Sequence, residues 1–135
     1  MKYDIEKVTR LVSEMKSAHA LLKELSKMDF DSFRSDPHRV ASAKYNLMVV
    51  IKATIDICNH IISKNDLKVP EDYADTFNIM ADNNLIPVNF SKTLIKMTRL
   101  KCRLVNLDIE ILHSILKNNL NDFNAFTTIL NKILK

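Results

Sequence analysis

Glycine is absent from this sequence of 135 residues, whereas average usage near ~7% would supply about nine. Walker loops, dinucleotide fingerprints and nucleophile elbows need a backbone that adopts positive φ or approaches a ligand without a Cβ, which only glycine provides. Tight β-hairpins lose their preferred turn residue for the same reason. The absence excludes these enzyme classes, disfavours antiparallel β folds and predicts a mainly helical protein.

Cysteine is scarce and long apolar runs are missing. Cys58 and Cys102 form no C-x-x-C pair, which favours two small buried hydrophobic residues over a redox pair or metal ligands. No apolar run approaches the ~18 residues of a membrane span, and the first residues, MKYDIEKVTR, contain no hydrophobic secretory core. The net charge of +4 is too small to identify a partner by itself. We expect a cytoplasmic protein with reduced thiols, no membrane contact, no metal and no cofactor.

Apolar residues recur at three- and four-residue steps along the chain, which is the spacing of amphipathic helices. Long helices are predicted over about residues 3–28, 37–64, 89–106 and 108 onward, and a short helix through Tyr73, Phe77 and Met80. The connections are short enough for antiparallel neighbours. We predict a single all-α domain over residues 1–135, an up-and-down bundle of four long helices and one short helix.

Residues at the predicted helix ends have capping chemistry. Asp36 followed by Pro37 is a favourable pair of N-cap and first-turn residue. Asn83 and Asn84 close the short helix, because asparagine tolerates the left-handed conformation that glycine usually supplies. The second long helix is apolar over a wide arc, so we expect it to be central, in contact with several neighbours or a second subunit. The stretch MDFDSFRSDP before it is predicted to be a break between helices.

Four cations share one side of the fourth long helix when residues are placed about 100° apart. An arc of roughly 60° contains four cations and no acid: Lys92, Lys96, Arg99 and Arg103. We call these four residues the basic stripe. Aligned cations repel one another and suit a phosphate backbone or an acidic partner. The alternative is a solvated face whose charges pair with acids on a neighbouring helix.

Lys101 lies on the opposite arc of this helix, among apolar residues such as Leu94, Met97 and Leu104. An ammonium is costly to bury without a partner. Its side chain is therefore expected either to extend to the edge of the bundle or to point into a polar cleft, such as one between subunits.

Two stretches carry a family resemblance. DICNHIISKNDLKVPEDYADTFNIMADNNLI and LIKMTRLKCRLVNLDIEILHSIL resemble the HepT-like branch of the HEPN (higher eukaryotes and prokaryotes nucleotide-binding) superfamily. The family pattern runs from Asp-Ile-x-x-His-Ile, through a Pro and a Tyr leading into Phe-x-x-Leu, to Met-x-x-x-Arg-Asn-x-Leu-Val-His-x-Tyr and an Ile-Asp pair. The resemblance extends from about residue 3 to residue 133.

The resemblance implies a small all-α homodimer that acts as a toxin ribonuclease beside a nucleotidyltransferase antitoxin of the MntA type. Family members cut RNA without a metal, using an Arg followed after four to six residues by a His, and the two subunits bring these motifs into one cleft. The chemistry fits the residue types, because imidazole transfers protons near neutral pH and guanidinium holds phosphate.

The motif is changed here at four positions. The family Arg falls on Lys101, the following Asn on Cys102, the His on Asn106, and the Tyr that the antitoxin can nucleotidylate on Asp108. Lysine can still offer charge to a phosphate, but an asparagine amide exchanges no proton at physiological pH. We expect RNA cleavage to be weak or lost, since one such group contributes on the order of 10²–10⁴-fold. Nucleotidylation is impossible at Asp108, and Tyr3, Tyr45 and Tyr73 are not nominated in its place.

The spacing of the two main motif positions also constrains their geometry. Lys101 and Asn106 would be about 140° apart on one continuous helix and would not share a face. A composite cleft therefore needs the second residue near a helix end. Asn106 as a cap and Asp108 as the start of the next helix suit that arrangement.

Other polar residues receive supporting or incidental roles. Asp56 and His60 match the Asp and His of the family pattern, and their i, i+4 spacing predicts a hydrogen-bonded pair near the cleft. His113 either replaces the missing imidazole or packs at a helix surface. With Glu110 it forms only one Glu-x-x-His pair, whereas a di-iron site needs two. The two remaining histidines, His19 and His38, are taken as incidental.

Three functions follow from these observations. The first is a HepT-like toxin relative with a decayed nuclease site, which retains the homodimer and binds RNA, nucleotide or an MntA-like antitoxin. The second is an active endoribonuclease that uses Lys101 with another base. The third is a purely structural helical interaction module.

Overall fold

Seven α-helices and one 3₁₀ turn make up the regular structure of residues 1–134, the part of the chain that the computed structural model describes. They are α1 (Ile5–Ser26), α2 (Phe30–Arg34), α3 (Pro37–Lys64), α4 (Tyr73–Asp82), α5 (Val88–Lys101), the 3₁₀ turn (Leu104–Asn106), α6 (Ile109–Asn118) and α7 (Asn121–Ile133). The all-α bundle predicted from the sequence is confirmed.

Helix α3 is the centre of the bundle, as its wide apolar arc predicted. It packs most extensively against α1 and also contacts α2, α4, α5 and α6. Leu47 and Ile51 of α3 are fully buried in one core with Phe33 of α2, Phe77 of α4 and Phe126 of α7. Burying a side chain of this size stabilises the fold by about 1.5–3 kcal/mol, so this core fixes where each helix end lies.

By length and composition, α3 is also apolar enough to cross a membrane. However, 67% of its most apolar window is buried inside the bundle. Burial of this kind is typical of the core helix of a soluble protein and supplies an ordinary reason for the apolar composition of α3.

Three of the predicted capping residues occupy their expected places, whereas Asn106, also predicted as a cap, is the last residue of the 3₁₀ turn. The carboxylate of Asp36 accepts a hydrogen bond from the N–H of His38 at 2.9 Å, and Pro37 begins α3. Asn84, after α4, has a left-handed φ of 59°. The carboxylate of Asp108 accepts from the N–H of Glu110 at 2.8 Å and caps α6.

Two predicted boundaries are wrong in addition to the end of α5, which lies at Lys101 and not near residue 106. The stretch MDFDSFRSDP contains α2, because Asp29 caps its first turn and Phe33 anchors it in the core. The last predicted helix is divided at Asn119 and Leu120 into α6 and α7. The ring nitrogen Nε2 of His19 donates to the carbonyl of Leu120 at 2.9 Å, which holds the chain where it changes direction.

Only one of the two cysteines is buried as predicted. Cys58 is fully buried in α3, and burial raises the pKa of its thiol far above the ordinary value. Cys102 is exposed, contrary to the prediction. Helix α5 ends at Lys101 instead of continuing to about residue 106, so Cys102 lies in the turn beyond the helix.

Candidate functional site

The motif segment, residues 101–108, connects α5 to α6. Helix α5 ends at Lys101 because the chain turns in the next two residues, where the N–H of Arg103 donates to the carbonyl of Leu100 at 2.9 Å. The 3₁₀ turn follows, and Asp108 then begins α6. Lys101 and Asn106 consequently lie on different elements, and the second position is near a helix end as predicted.

Lys101 binds a tyrosine of the same chain. Its Nζ donates to the hydroxyl of Tyr73 at 3.1 Å and lies 4.7 Å from the centre of the Tyr73 ring. Tyr73 is the first residue of α4 and is 41% exposed. A lysine over an aromatic ring gains a cation–π attraction of roughly 0.5–1 kcal/mol at an exposed site. Lys101 therefore extends to an edge of the bundle, where its charge has a partner and remains accessible.

A second lysine holds the 3₁₀ turn against the core helix. The Nζ of Lys44 in α3 donates to the carbonyl of Val105 at 2.9 Å. Asn106 follows and is exposed, and the Val105 side chain is itself 85% exposed. The bond fixes the backbone of the turn and directs these side chains outward.

Asp56 forms an ion pair within α3. Its carboxylate lies 2.8 Å from the Nζ of Lys52, one helical turn earlier. The hydrogen bond and charge of Asp56 raise the pKa of Lys52, and the nearby Tyr73 phenol adds to this effect. Both side chains are partly open to solvent, so the pair contributes little to stability. The partner of Asp56 is therefore Lys52, and the charge of Lys52 is within electrostatic reach of Tyr73.

His60 points away from Asp56, which contradicts the predicted hydrogen-bonded pair. Its Nε2 accepts from the backbone N–H of Asp4 at 2.8 Å, and its ring is buried. Burial, followed by the positive charges of Lys7 and Lys64, lowers the pKa of His60. His60 therefore joins α3 to the start of α1 and is not part of the motif site.

A small polar pocket lies beside Tyr73. The hydroxyl of Thr76 donates to Oδ1 of Asn59 at 2.8 Å and joins α4 to α3. The pocket has a volume of about 210 Å³ and is lined by Asn59, Pro70, Glu71, Asp72, Tyr73 and Thr76. We call Lys101, Tyr73, Lys52 and Asp56, with this pocket at their edge, the motif cluster.

The other two predicted motif residues do not contact Tyr73. Cys102 is exposed at the turn after α5. Asp108 is exposed and uses its carboxylate to cap α6 through the N–H of Glu110. The observed role of Asp108 is that of a structural N-cap.

The basic stripe is exposed, but it is not a single helix face. Lys92, Lys96 and Arg99 lie on α5, whereas Arg103 lies in the turn beyond its end. In residues 1–134, none of these four side chains is within 4.0 Å of a carboxylate in an ion pair. The alternative in which they pair with acids of a neighbouring helix is not observed within this chain.

His113 is held in the core layer between α2 and α6. Its Nε2 donates to the carbonyl of Met28 at 2.9 Å, and its ring lies 5.5 Å from the ring centres of Phe30 and Phe33. These contacts occupy the imidazole and give it a structural role. Across residues 1–134, no group of three or more His, Cys, Asp or Glu side chains is arranged to hold a metal ion.

Three residues of this region were not predicted from the sequence: Tyr73, Lys52 and Lys44. The signal for Tyr73 was its match to the Tyr of the family pattern, in the segment PEDYADTF. Lys52 had a weaker signal, because it precedes Asp56 by one helical turn. Lys44 had none, since it contacts a backbone carbonyl 61 residues away.

Comparisons with known proteins agree with this arrangement. The Ribonuclease HepT-like family matches residues 15–130. The mRNA nuclease HepT of Shewanella oneidensis is 32% identical over 106 residues, which covers 76% of this chain and 80% of that protein. A toxin–antitoxin crystal structure with AMP-PNP has a TM-score of 0.87 at 27% identity and covers 94% of this chain and 98% of the matched chain.

A further solved structure is the tri-AMPylated HEPN toxin of Shewanella oneidensis in complex with its MNT antitoxin. It matches with a TM-score of 0.86 at 27% identity, over 93% of this chain and 97% of that chain. The helical bundle with its motif segment between α5 and α6 defines a HEPN-type domain. Within that class, this chain belongs to the HepT-like family.

Proposed function

We propose that this protein is the toxin component of a HepT-like toxin–antitoxin pair, a homodimer that binds RNA at the motif cluster and cleaves it weakly or not at all. The observation that carries the proposal is Lys101, a cation held in the open at the end of α5 by Tyr73. An exposed ammonium is suited to an RNA phosphate. Asn106, in the place of the family His, supplies no proton at physiological pH.

The basic stripe supports RNA as the ligand. Its four side chains are exposed on α5, which ends at Lys101, and on the turn that follows. None of them forms an ion pair with a carboxylate within residues 1–134. Contacts of Lys and Arg with phosphates release counterions and make binding dependent on salt. The stripe therefore offers a polyanion further cations on the helix that carries Lys101, on the side opposite to Lys101.

Exposed apolar side chains around the 3₁₀ turn support a homodimer. Met48 of α3 is 37% exposed, Val105 is 85% exposed and Ile109 of α6 is 36% exposed. Met48 lies one turn from Lys44, which binds the Val105 carbonyl, and Ile109 begins α6 four residues after Val105. A twofold contact there brings two copies of residues 101–106 into one cleft.

The relatives support the partner. The matched HEPN toxin of Shewanella oneidensis is in complex with an MNT antitoxin, and the curated relative is an mRNA nuclease. We propose an MntA-like nucleotidyltransferase as the partner of this chain, in the cytoplasm. The Lys101–Tyr73 contact also favours a second candidate, an endoribonuclease that remains slowly active through another base.

Restoring the family motif tests the proposal. Labelled single-stranded RNA is incubated in chelator with the wild type, Asn106→His, and the double variant Lys101→Arg with Asn106→His. The double variant is expected to cleave about 10²–10⁴-fold faster than the wild type. The matched control is Asn118→His, an exposed asparagine on α6. Equal rates for the wild type and the double variant would contradict the proposal.

The dimer needs a measurement of its own. Light scattering at micromolar concentration should give the mass of two chains, and Val105→Glu should shift it towards one chain, because two charges would meet at the twofold contact. A monomeric wild type would contradict the composite cleft. RNA binding measured on the same samples shows whether the cleft needs both copies.

A further inference from the structure

The hydroxyl of Tyr73 accepts a hydrogen bond from Lys101, and the function proposed above uses Tyr73 only to hold this cation. The two residues are 28 positions apart, and the packing of α4 against α5 brings them within 3.1 Å. We propose that Tyr73 is the proton-transferring group of this site and that slow, metal-independent RNA cleavage proceeds through its phenol in place of the missing imidazole. The inference rests on the proposed RNA function and names the base.

Tyr73 lies in a capped first turn of α4, and its ring is accessible to solvent. The carboxylate of Asp72 caps α4 by accepting from the N–H of Asp75 at 2.8 Å, which sets the first turn and the direction of the Tyr73 side chain. The ring is 41% exposed, so a polymer can reach the hydroxyl. Lys101 donates to that oxygen, and it therefore stabilises the negative charge that forms when the phenol loses its proton.

The competing bases are engaged elsewhere. The carboxylate of Asp56 is paired with Lys52 at 2.8 Å. His60 is bound to the backbone of Asp4, and His113 to the carbonyl of Met28. Tyr73 is thus the titratable side chain that shares a hydrogen bond with Lys101 and remains accessible.

Several charged groups surround the phenol and must be considered in any pH dependence. They are Lys101 from α5, Lys52 and Asp56 from α3, and Glu71 and Asp72 from the segment that leads into α4. The charge of Asp56 is largely compensated by its pairing with Lys52.

The step balances within the Lys101–Tyr73 pair. The Tyr73 phenolate takes the proton of an RNA 2′-hydroxyl, the 2′-oxygen forms a bond to phosphorus, and the bond from phosphorus to the 5′-oxygen breaks. The ammonium of Lys101 gives a proton to the departing 5′-oxygen. The Tyr73 phenol then returns a proton to the Lys101 amine along their hydrogen bond. The products are a 2′,3′-cyclic phosphate and a 5′-hydroxyl end.

The test compares Tyr73→Phe with Tyr45→Phe, a matched change at an exposed tyrosine of α3. Cleavage of labelled single-stranded RNA is measured in chelator from about pH 6 to 9, with the rate for RNA alone subtracted. Because general-base catalysis by a phenol needs the phenolate, the wild-type rate should rise across this range. Tyr73→Phe should lower it by about 10²-fold or more, and Tyr45→Phe should not.

RNA binding and thermal unfolding of the same samples separate the possible failures. Tyr73→Phe retains the ring, so binding and melting should change little. If the wild type does not cleave, if Tyr73→Phe cleaves like the wild type, or if the rate levels off near neutral pH as for a histidine, the assignment of Tyr73 is wrong. In each of these cases intact RNA binding leaves the proposed RNA function standing, whereas loss of RNA binding by the wild type overturns both.

Discussion

The imidazole of His60 accepts a hydrogen bond from the backbone N–H of Asp4 at 2.8 Å, which joins the C-terminal part of the core helix to the residue before α1. Only a neutral ring with a free Nε2 can accept this bond. Burial and the charges of Lys7 and Lys64 lower the pKa of His60, in agreement with that neutral state. The contact makes the attachment of α1 sensitive to mild acid.

The first prediction concerns this sensitivity. In the unfolded chain His60 titrates near its ordinary value of 6.5, and in the folded chain it titrates lower. The unfolded state therefore binds the proton first, and the free energy of unfolding should decrease as pH falls through 6.5 towards the folded pKa. Chemical denaturation at pH 7.5 and 5.5 measures this decrease in the free energy of unfolding. The decrease should be smaller in His60→Gln than in the wild type.

The control for this prediction is His38→Gln, a change at an exposed histidine of α3. It should leave the pH dependence as in the wild type. Asp4 acts in a different range, because the hydrogen bond from the N–H of Lys7 lowers its pKa from 3.8, and its contribution is lost only below about pH 4. An unchanged slope in His60→Gln between pH 7.5 and 5.5 would show that His60 does not cause the acid sensitivity.

The second prediction concerns the bond from Lys44 to Val105. Lys44→Met removes the donor but keeps the length of the side chain, so the 3₁₀ turn should become more mobile while the core remains packed. Hydrogen exchange at the backbone amides of residues 103–107 should accelerate by about 5–10-fold, as expected for the loss of about 1 kcal/mol. Lys16→Met, at an exposed lysine of α1, is the control and should not affect this segment.

The third prediction concerns the basic stripe. Replacing all four of its cations by Gln should weaken binding to single-stranded RNA. It should also reduce the slope of log affinity against log salt by up to about 3, since each phosphate contact contributes about 0.7. A control that removes the same charge elsewhere replaces Lys16, Lys23, Lys27 and Lys117, which are exposed. Similar slopes in the two variants would assign RNA binding to net charge alone.

The fourth prediction separates structure from chemistry at His113. His113→Leu retains apolar volume beside Phe30 and Phe33 but loses the hydrogen bond to Met28. It should lower the free energy of unfolding, measured with denaturant, by about 1 kcal/mol and leave the rate of RNA cleavage unchanged. His113→Ala should cost about 2–3 kcal/mol because the ring contacts are lost too. A cleavage defect in His113→Leu at full stability would restore His113 as the replacement base.

Local signals in the sequence predicted the helices and caps well. Asp36 before Pro37, Asn84 after α4 and Asp108 before α6 work through neighbours within a few residues, so the sequence alone contains the information. Asn106 was also predicted to lie near a helix end. The end of α5 was wrong, since the predicted helix continued to about residue 106 and contained both Lys101 and Asn106. The expected burial of Cys102, in the turn after α5, was wrong as well.

Contacts distant in sequence were missed. Tyr73 meets Lys101 across 28 residues, and Asp4 meets His60 across 56. These pairs depend on how α1, α4 and α5 pack against α3, which periodicity does not specify. For the same reason the expected Asp56–His60 pair was wrong, since each side chain found a closer partner on packing.

Helix α4 lies between two residues that adopt left-handed backbone without being glycine, Asp66 at φ 53° and Asn84 at φ 59°. Neither touches the motif cluster, but together they set the entry and exit of the helix that carries Tyr73. Most L-residues disfavour this conformation by about 1 kcal/mol or more. These two positions are consequently expected to vary only among Asn, Asp and Gly during evolution. Another residue at either position would shift Tyr73, which lies seven residues after Asp66 and eleven before Asn84.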